Sequence, residues 1–184
     1  KAFTYIDTFA REIREITENK FFLDLYSCNQ KDRINGTFER VVGDMLLLCN
    51  YPDKYRKDTK QSFKWLNENA ALCDFEYLNE LLSRLNTTVE ATKEIRSLFD
   101  RKNAYIFVSA FKTFIESGRS DSGFGEFMTW FVNGGNQTEI EGKTWELLDT
   151  DRSHSTRDTS VIHGKINYLT ELMEKYFKEV QKAA

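Results

Sequence analysis

Residues 101–118 read RKNAYIFVSAFKTFIESG, and the fold class follows from them. Tyr105, Ile106, Phe107, Val108, Ala110, Phe111, Phe114 and Ile115 place apolar groups on nearly every side of a helical wheel. A helix that is apolar all round is buried among neighbours and does not lie on a surface. After Lys102 its only charges are Lys112 and Glu116, four residues apart on one narrow stripe. Gly118 then supplies the left-handed residue that ends many helices.

The segments on either side carry helical periods of their own. Phe3, Ile6, Phe9, Ala10, Ile13 and Ile16 predict an amphipathic helix over 4–17. The run Phe21 to Tyr26 is read as a short helix. Asn35-Gly36 is a turn and Thr37 a cap for a second long helix holding Phe38, Val41, Val42, Met45, Leu46 and Cys49. Gly43 in its middle marks close packing, and Tyr51-Pro52 ends it. A short helix around Phe63, Trp65 and Leu66 runs to about residue 71. Asp74 caps the next, with Leu78, Leu81, Leu82 and Leu85, and the pattern is interrupted at Asn86-Thr87-Thr88 before resuming through Val89, Ile95 and Phe99. That leaves one helix or two. Ser120 to Gly123 reads as a polar turn, followed by a short helix with Phe124, Phe127, Met128, Phe131 and Val132. The weakly patterned stretch 133–159 docks through Trp145, Leu147 and Leu148. A last helix over 159–182 places Ile162, Ile166, Leu169, Met173, Tyr176 and Val180 on one side. The expectation is all-α: a single compact domain, 1–184, of about seven helices around a buried central helix.

Bulk composition agrees with a globular protein and points to no special partner. The chain has 184 residues, 40% hydrophobic and 30% charged, with one proline and a net charge of −3. Such a balance supplies no global attraction to nucleic acid. No run approaches the eighteen apolar residues of a membrane span, and no secretory signal is visible, so a cytoplasmic location is expected without a membrane partner. Cys28, Cys49 and Cys73 show no metal-ligand spacing and read as buried, reduced thiols. The sequons at Asn35, Asn86 and Asn136 are read as chance. No phosphate-binding loop, dinucleotide fingerprint, zinc motif or serine elbow occurs, so neither a cofactor, a metal site nor a catalytic residue is assigned.

Two constellations carry charge that a ligand can use, hence two candidate sites. The loop Asp151-Arg152-Ser153-His154-Ser155-Thr156-Arg157-Asp158 precedes a helix start, where free N–H groups favour anions. Arg152, His154 and Arg157 are its candidate anion or nucleic-acid contacts; the competing reading is a solvated loop in which Asp158, Thr159 or Ser160 caps the helix. His154 beside Asp151 or Asp158 is a conceivable acid–base group. His163 reads as a surface or partner-facing residue. The second constellation, 51–65, interleaves Lys54, Arg56, Lys57 and Lys60 with Tyr55, Phe63 and Trp65, the ingredients of a nucleic-acid surface; its competitor is a solvated helix face with the rings turned inward.

Three segments together resemble a known family. They are Phe38 to Leu48 with Tyr51-Pro52-Asp53-Lys54-Tyr55, then Lys102-Asn103-Ala104-Tyr105-Ile106-Phe107, then Thr156 to Leu169. Their order and spacing are similar to the helical C-terminal part of bacterial proteins with a ParB-like N-terminal domain, which include the GmrSD-type, modification-dependent restriction enzymes. The family's chemistry is associated with a DGQ[QR]R-like motif, and none occurs here, so no catalytic residue carries over. The resemblance implies a helical half without its catalytic half, and the start at Lys1 is read the same way: a C-terminal fragment of a longer protein. It further implies a bacterial or phage-related defence setting. The expected function is a non-catalytic domain that supports or regulates a ParB-like nuclease or nucleotidase, with its own N-terminal domain, another subunit or nucleic acid as partner. The alternatives are a phosphate-ester-directed enzyme with a site near Asp151 to Asp158, or a structural oligomerisation module.

Overall fold

The computed structural model describes residues 7–183, and every element named within them is a helix. The chain runs through α1 (Asp7–Thr17), α2 (Phe21–Asp24), α3 (Gln30–Ile34), α4 (Thr37–Asn50), α5 (Thr59–Glu68), α6 (Phe75–Thr88), α7 (Lys93–Leu98), α8 (Ala104–Glu116), α9 (Asp121–Val132), α10 (Trp145–Thr150) and α11 (Thr159–Ala183). The expected count of about seven falls short of these eleven. Four of them, α2, α3, α7 and α10, have only four to six residues, too short to show a helical period in sequence. Phe3 and Ile6 of the expected first helix lie outside the described residues.

Helix α8 is buried from Ala104 to Phe111 and again at Phe114, and it packs on α4, α11, α6 and α9. Helix α4 is nearly as enclosed, from Val41 to Cys49. Helix α4 meets α5 at a small residue. A methyl at Gly43 would overlap the Phe63 ring of α5, which packs directly over that glycine. Gly118, at φ 83°, takes the left-handed position just past α8 that only glycine adopts without strain. Phe107, Phe111 and Phe114 meet Phe131, Trp145, Phe124 and Phe177 at centroid distances of 5.0 to 5.8 Å, so α8 is joined to α9, α10 and α11 largely through ring contacts.

Local chemistry sets the boundaries. Asp74 caps α6 through the Tyr77 N–H, and Thr92 caps α7 through the Ile95 N–H, so the leucine-rich stretch is two helices with the break after Thr88. Gly36, at φ 80°, opens α4, and Thr37 is its first helical residue, not its cap. Only Ser120 of the expected polar turn lies outside α9. Asp121 begins that helix and takes a two-point bond from Arg84 of α6. Trp145 is buried and Leu148 packs against the core as expected, but Leu147 is 59% exposed, because the short α10 offers one inward face and those two occupy it. Val180 is also exposed, on the outer end of α11. Cys49 is buried and Cys73 half-buried, whereas Cys28 is exposed. No helix among the described residues is long and apolar enough to cross a membrane.

Candidate functional site

Two of the buried charged residues, Asp44 and Lys165, lie where α4 and α11 pass the beginning of α8. Asp44 sits in the middle of the apolar run of α4, and its side chain is fully enclosed. Arg157, from the segment before α11, grips it with both terminal nitrogens: Nη1 donates to Oδ2, and Nη2 donates to Oδ1 at 3.2 Å. Arg40, one turn earlier on α4, adds a bond from Nη1 to Oδ2 at 3.0 Å. Arg157 is itself clasped, since its Nε donates to the Lys57 carbonyl and its own carbonyl accepts from the Tyr55 hydroxyl. Its guanidinium carbon lies 5.5 Å from the centre of the Tyr55 ring. Tyr105 is buried beside them without a well-formed hydrogen bond for its hydroxyl.

Burial pushes the Asp44 carboxyl up, and the hydrogen bonds and charge of Arg157 and Arg40 oppose this. Burial works against the Arg157 cation too, but facing Asp44 outweighs it and raises that group further. A guanidinium keeps its proton throughout the accessible range, so Asp44 faces two permanent cations, Arg157 and Arg40. Burial likewise pushes the Tyr55 phenol up to about 12, leaving it a neutral donor.

A second cluster adjoins the first through the turn at 100–103. Lys165 of α11 is 1% exposed, and its ammonium donates to Asp149 Oδ1 at 2.7 Å and to Asn103 Oδ1 at 2.8 Å. It also lies 5.2 Å from the centre of the Trp145 ring. The Asn103 amide donates to the same Asp149 oxygen, and Lys102 approaches that carboxylate at 3.3 Å. Burial pulls the Lys165 amine below its ordinary value, against the hydrogen bond and charge of Asp149. For Asp149 burial acts upward, but Lys165, Asn103 and Lys102 outweigh it and hold the carboxyl below its usual range.

These partners decide what the candidate residues are able to do. Arg157 faces inward, with its guanidinium committed to Asp44. Lys57 pairs with Asp158 at 2.7 Å, Lys54 with Asp53 at 2.9 Å, and Arg56 donates to the Asp53 and Tyr55 carbonyls. Lys60 and Arg152 have no ion pair among the described residues. Phe63 is buried and Trp65 partly so, with their rings turned to the core. His154 is 62% exposed, and its Nδ1 is 3.9 Å from Asp158 Oδ2, too far for a hydrogen bond. His163 is exposed.

Beside His154 runs an open groove of about 300 Å³ lined by Lys143, Leu148, Asp151, Ser153 and Val161. Lys143 comes from a tight turn with Glu141 at φ 47° and Gly142 at φ 75°. No hydroxyl in the groove is hydrogen-bonded to His154, so a nucleophile–base pair is not formed there. Among the described residues no three His, Cys, Asp or Glu side chains converge as a metal site would.

Two residues central to this region escaped the sequence reading, although each leaves a mark. Asp44 is the one acid inside the apolar run Val41–Cys49, and Lys165 falls between Ile162 and Leu169 on the inward face of α11. A charge at a core position signals a buried partner. Neither partner, Arg157 nor Asp149, is recognisable from spacing. No family model matches the chain, and no curated protein or solved structure matches it either.

Proposed function

We propose that this chain is a non-catalytic helical support domain, built to hold or regulate a neighbouring nucleic-acid-processing domain of the ParB-like kind. The observation that carries the reading is the use made of its buried charge. Asp44, Arg157, Asp149 and Lys165 are all engaged with one another or with Asn103, Arg40 and Lys102, and none of them lines the groove beside His154. Charges arranged this way fix the relative positions of helices; they do not turn over a substrate. The three segments that carry the resemblance supply Asp44, Tyr55, Asn103, Tyr105, Arg157 and Lys165 to this region, which supports a shared helical core with α8 as its post. A cytoplasmic, defence-related setting belongs to the same proposal.

Two measurements test it. The coding sequence upstream of Lys1 is expected to encode a domain with a DGQ[QR]R-like motif, in the same frame or the adjacent gene; another kind of domain there overturns the family reading. The purified chain is expected to leave plasmid DNA, RNA, ATP and GTP intact under conditions with added divalent cations. Turnover that His154→Ala abolishes would establish the phosphate-ester enzyme instead.

A further inference from the structure

The segment 151–158 hangs on the body by its last two residues. Between Trp145 and Ile162 no residue is buried. Within the segment, Ser153 donates its N–H to Asp151, and Ser155 and Asp158 exchange bonds. Apart from its junctions with α10 and α11, its hydrogen bonds and ion pairs to other elements among the described residues leave from Arg157 and Asp158. They run to Asp44, Tyr55 and Lys57. What receives Arg157 is built without this segment. Asp44 belongs to α4 and is bonded by Arg40 of the same helix. The stretch Tyr55 to Lys57 is fastened to α5, since the Arg56 N–H donates to Ser62 Oγ at 3.1 Å and that hydroxyl donates to the Arg56 carbonyl at 3.0 Å. The buried Tyr55 ring stacks on that of Tyr105 of α8, with centroids 6.4 Å apart.

Each wall of this pocket answers to one part of a guanidinium. The two oxygens of Asp44 accept from the two terminal nitrogens, and the Lys57 carbonyl accepts from Nε. The Tyr55 ring lies 5.5 Å from the guanidinium carbon. An ammonium is a point charge without the fork that spans a carboxylate and a carbonyl together. We infer that Asp44, the Tyr55 ring and the Lys57 carbonyl form a guanidinium-binding pocket, which Arg157 fills in cis and which accepts an alkylguanidinium, the head of another arginine side chain, once Arg157 is withdrawn. The segment 151–158 is then an internal ligand as well as a connection. Because no buried apolar residue ties it down, its departure leaves α4, α5 and α8 with their own contacts intact. This inference stands apart from the support-domain reading, since it concerns recognition of a cation and no upstream domain.

Chemical rescue of Arg157→Ala tests it, with ethylguanidinium as the probe and ethylammonium at equal ionic strength as the control. With a millimolar dissociation constant, about 20 mM ethylguanidinium should favour the folded variant about 10-fold, seen as a saturable rise in melting temperature. Ethylammonium should give a clearly smaller rise, and the wild type, whose pocket is filled by Arg157, should give none with either. The double variant Asp44→Asn/Arg157→Ala, which lacks the carboxylate, should not respond to ethylguanidinium. If Arg157→Ala does not fold in buffer alone, circular dichroism should show ethylguanidinium restoring its helix content. A variant that neither gains stability nor refolds with ethylguanidinium overturns the inference. So does an equal response to ethylammonium, or an equal response in the wild type or the double variant. None of these outcomes touches the upstream sequence or the turnover panel, so the two readings fail separately.

Discussion

Replacing Arg157 with alanine takes away both nitrogens that grip Asp44, the bond to the Lys57 carbonyl and the cover over the Tyr55 ring. Asp44 would then be a fully enclosed carboxylate with Arg40 as its remaining charged partner. Removing one member of a buried ion pair costs roughly 3 to 5 kcal/mol, and the surviving bond from Arg40 places this case near 3. In a protein of this size each kcal/mol moves the melting temperature by about 2 to 4 °C, so a fall of about 6 to 12 °C is expected. Urea titration at pH 7, followed at 222 nm, measures the loss. Arg157→Ala/Asp44→Leu should be more stable than the sum of the single changes allows, with a coupling of about 1 to 3 kcal/mol. Limited trypsin digestion gives a local readout: the 151–158 loop, released from α4, should be cut at Arg152 sooner than in the wild type. A loss under about 1 kcal/mol, or strict additivity in the double variant, refutes the claim that this pair holds the loop to the body.

Gly43→Ala should destabilise by up to about 2 kcal/mol in the same urea assay, because the methyl meets the Phe63 ring and an overpacking cost of about 1 to 3 kcal/mol is offset in part by alanine's helix preference of about 1 kcal/mol. Asp149 has a folded pKa below its unfolded value, so its contribution is complete above about pH 4 and is lost as the pH falls through the lower folded value. Asp149→Asn should therefore flatten the acid limb of the stability curve below pH 4 and lower stability at pH 7. Titration with a thiol reagent at pH 8 should find one thiol, Cys28, reacting readily. Cys73, half-buried and raised to about 11, should react slowly, and Cys49, pushed up to about 12 by complete burial, only on unfolding.

The all-helical class was legible because apolar periods are long in α4, α6, α8 and α11, and a period is a property of consecutive residues. Helices α7 and α10 were not, because one or two turns contain too few repeats; they are held by caps at Thr92 and Thr144 and by a buried Ile95 or Trp145. The candidate loop was singled out for its charges, and Arg157 does carry a structural role there. Its direction was not legible. Whether an arginine faces solvent or a carboxylate 113 positions away depends on how α4 and α11 come to lie together. The same limit applies to Lys57 and Lys54, whose partners are a distant Asp158 and an adjacent Asp53.

That separation of 113 residues also bears on the order of events in folding. Closing a flexible loop of that length costs about 4 kcal/mol in chain entropy, which equals or exceeds what the Asp44–Arg157 pair returns. The pair cannot nucleate the fold; it can only close once α4, α8 and α11 have shortened the effective loop. Changes at Asp44 or Arg157 should thus leave the refolding rate nearly untouched and appear almost wholly as faster unfolding. The clasp sets how long the native molecule persists, while the helices around α8 set how quickly it forms.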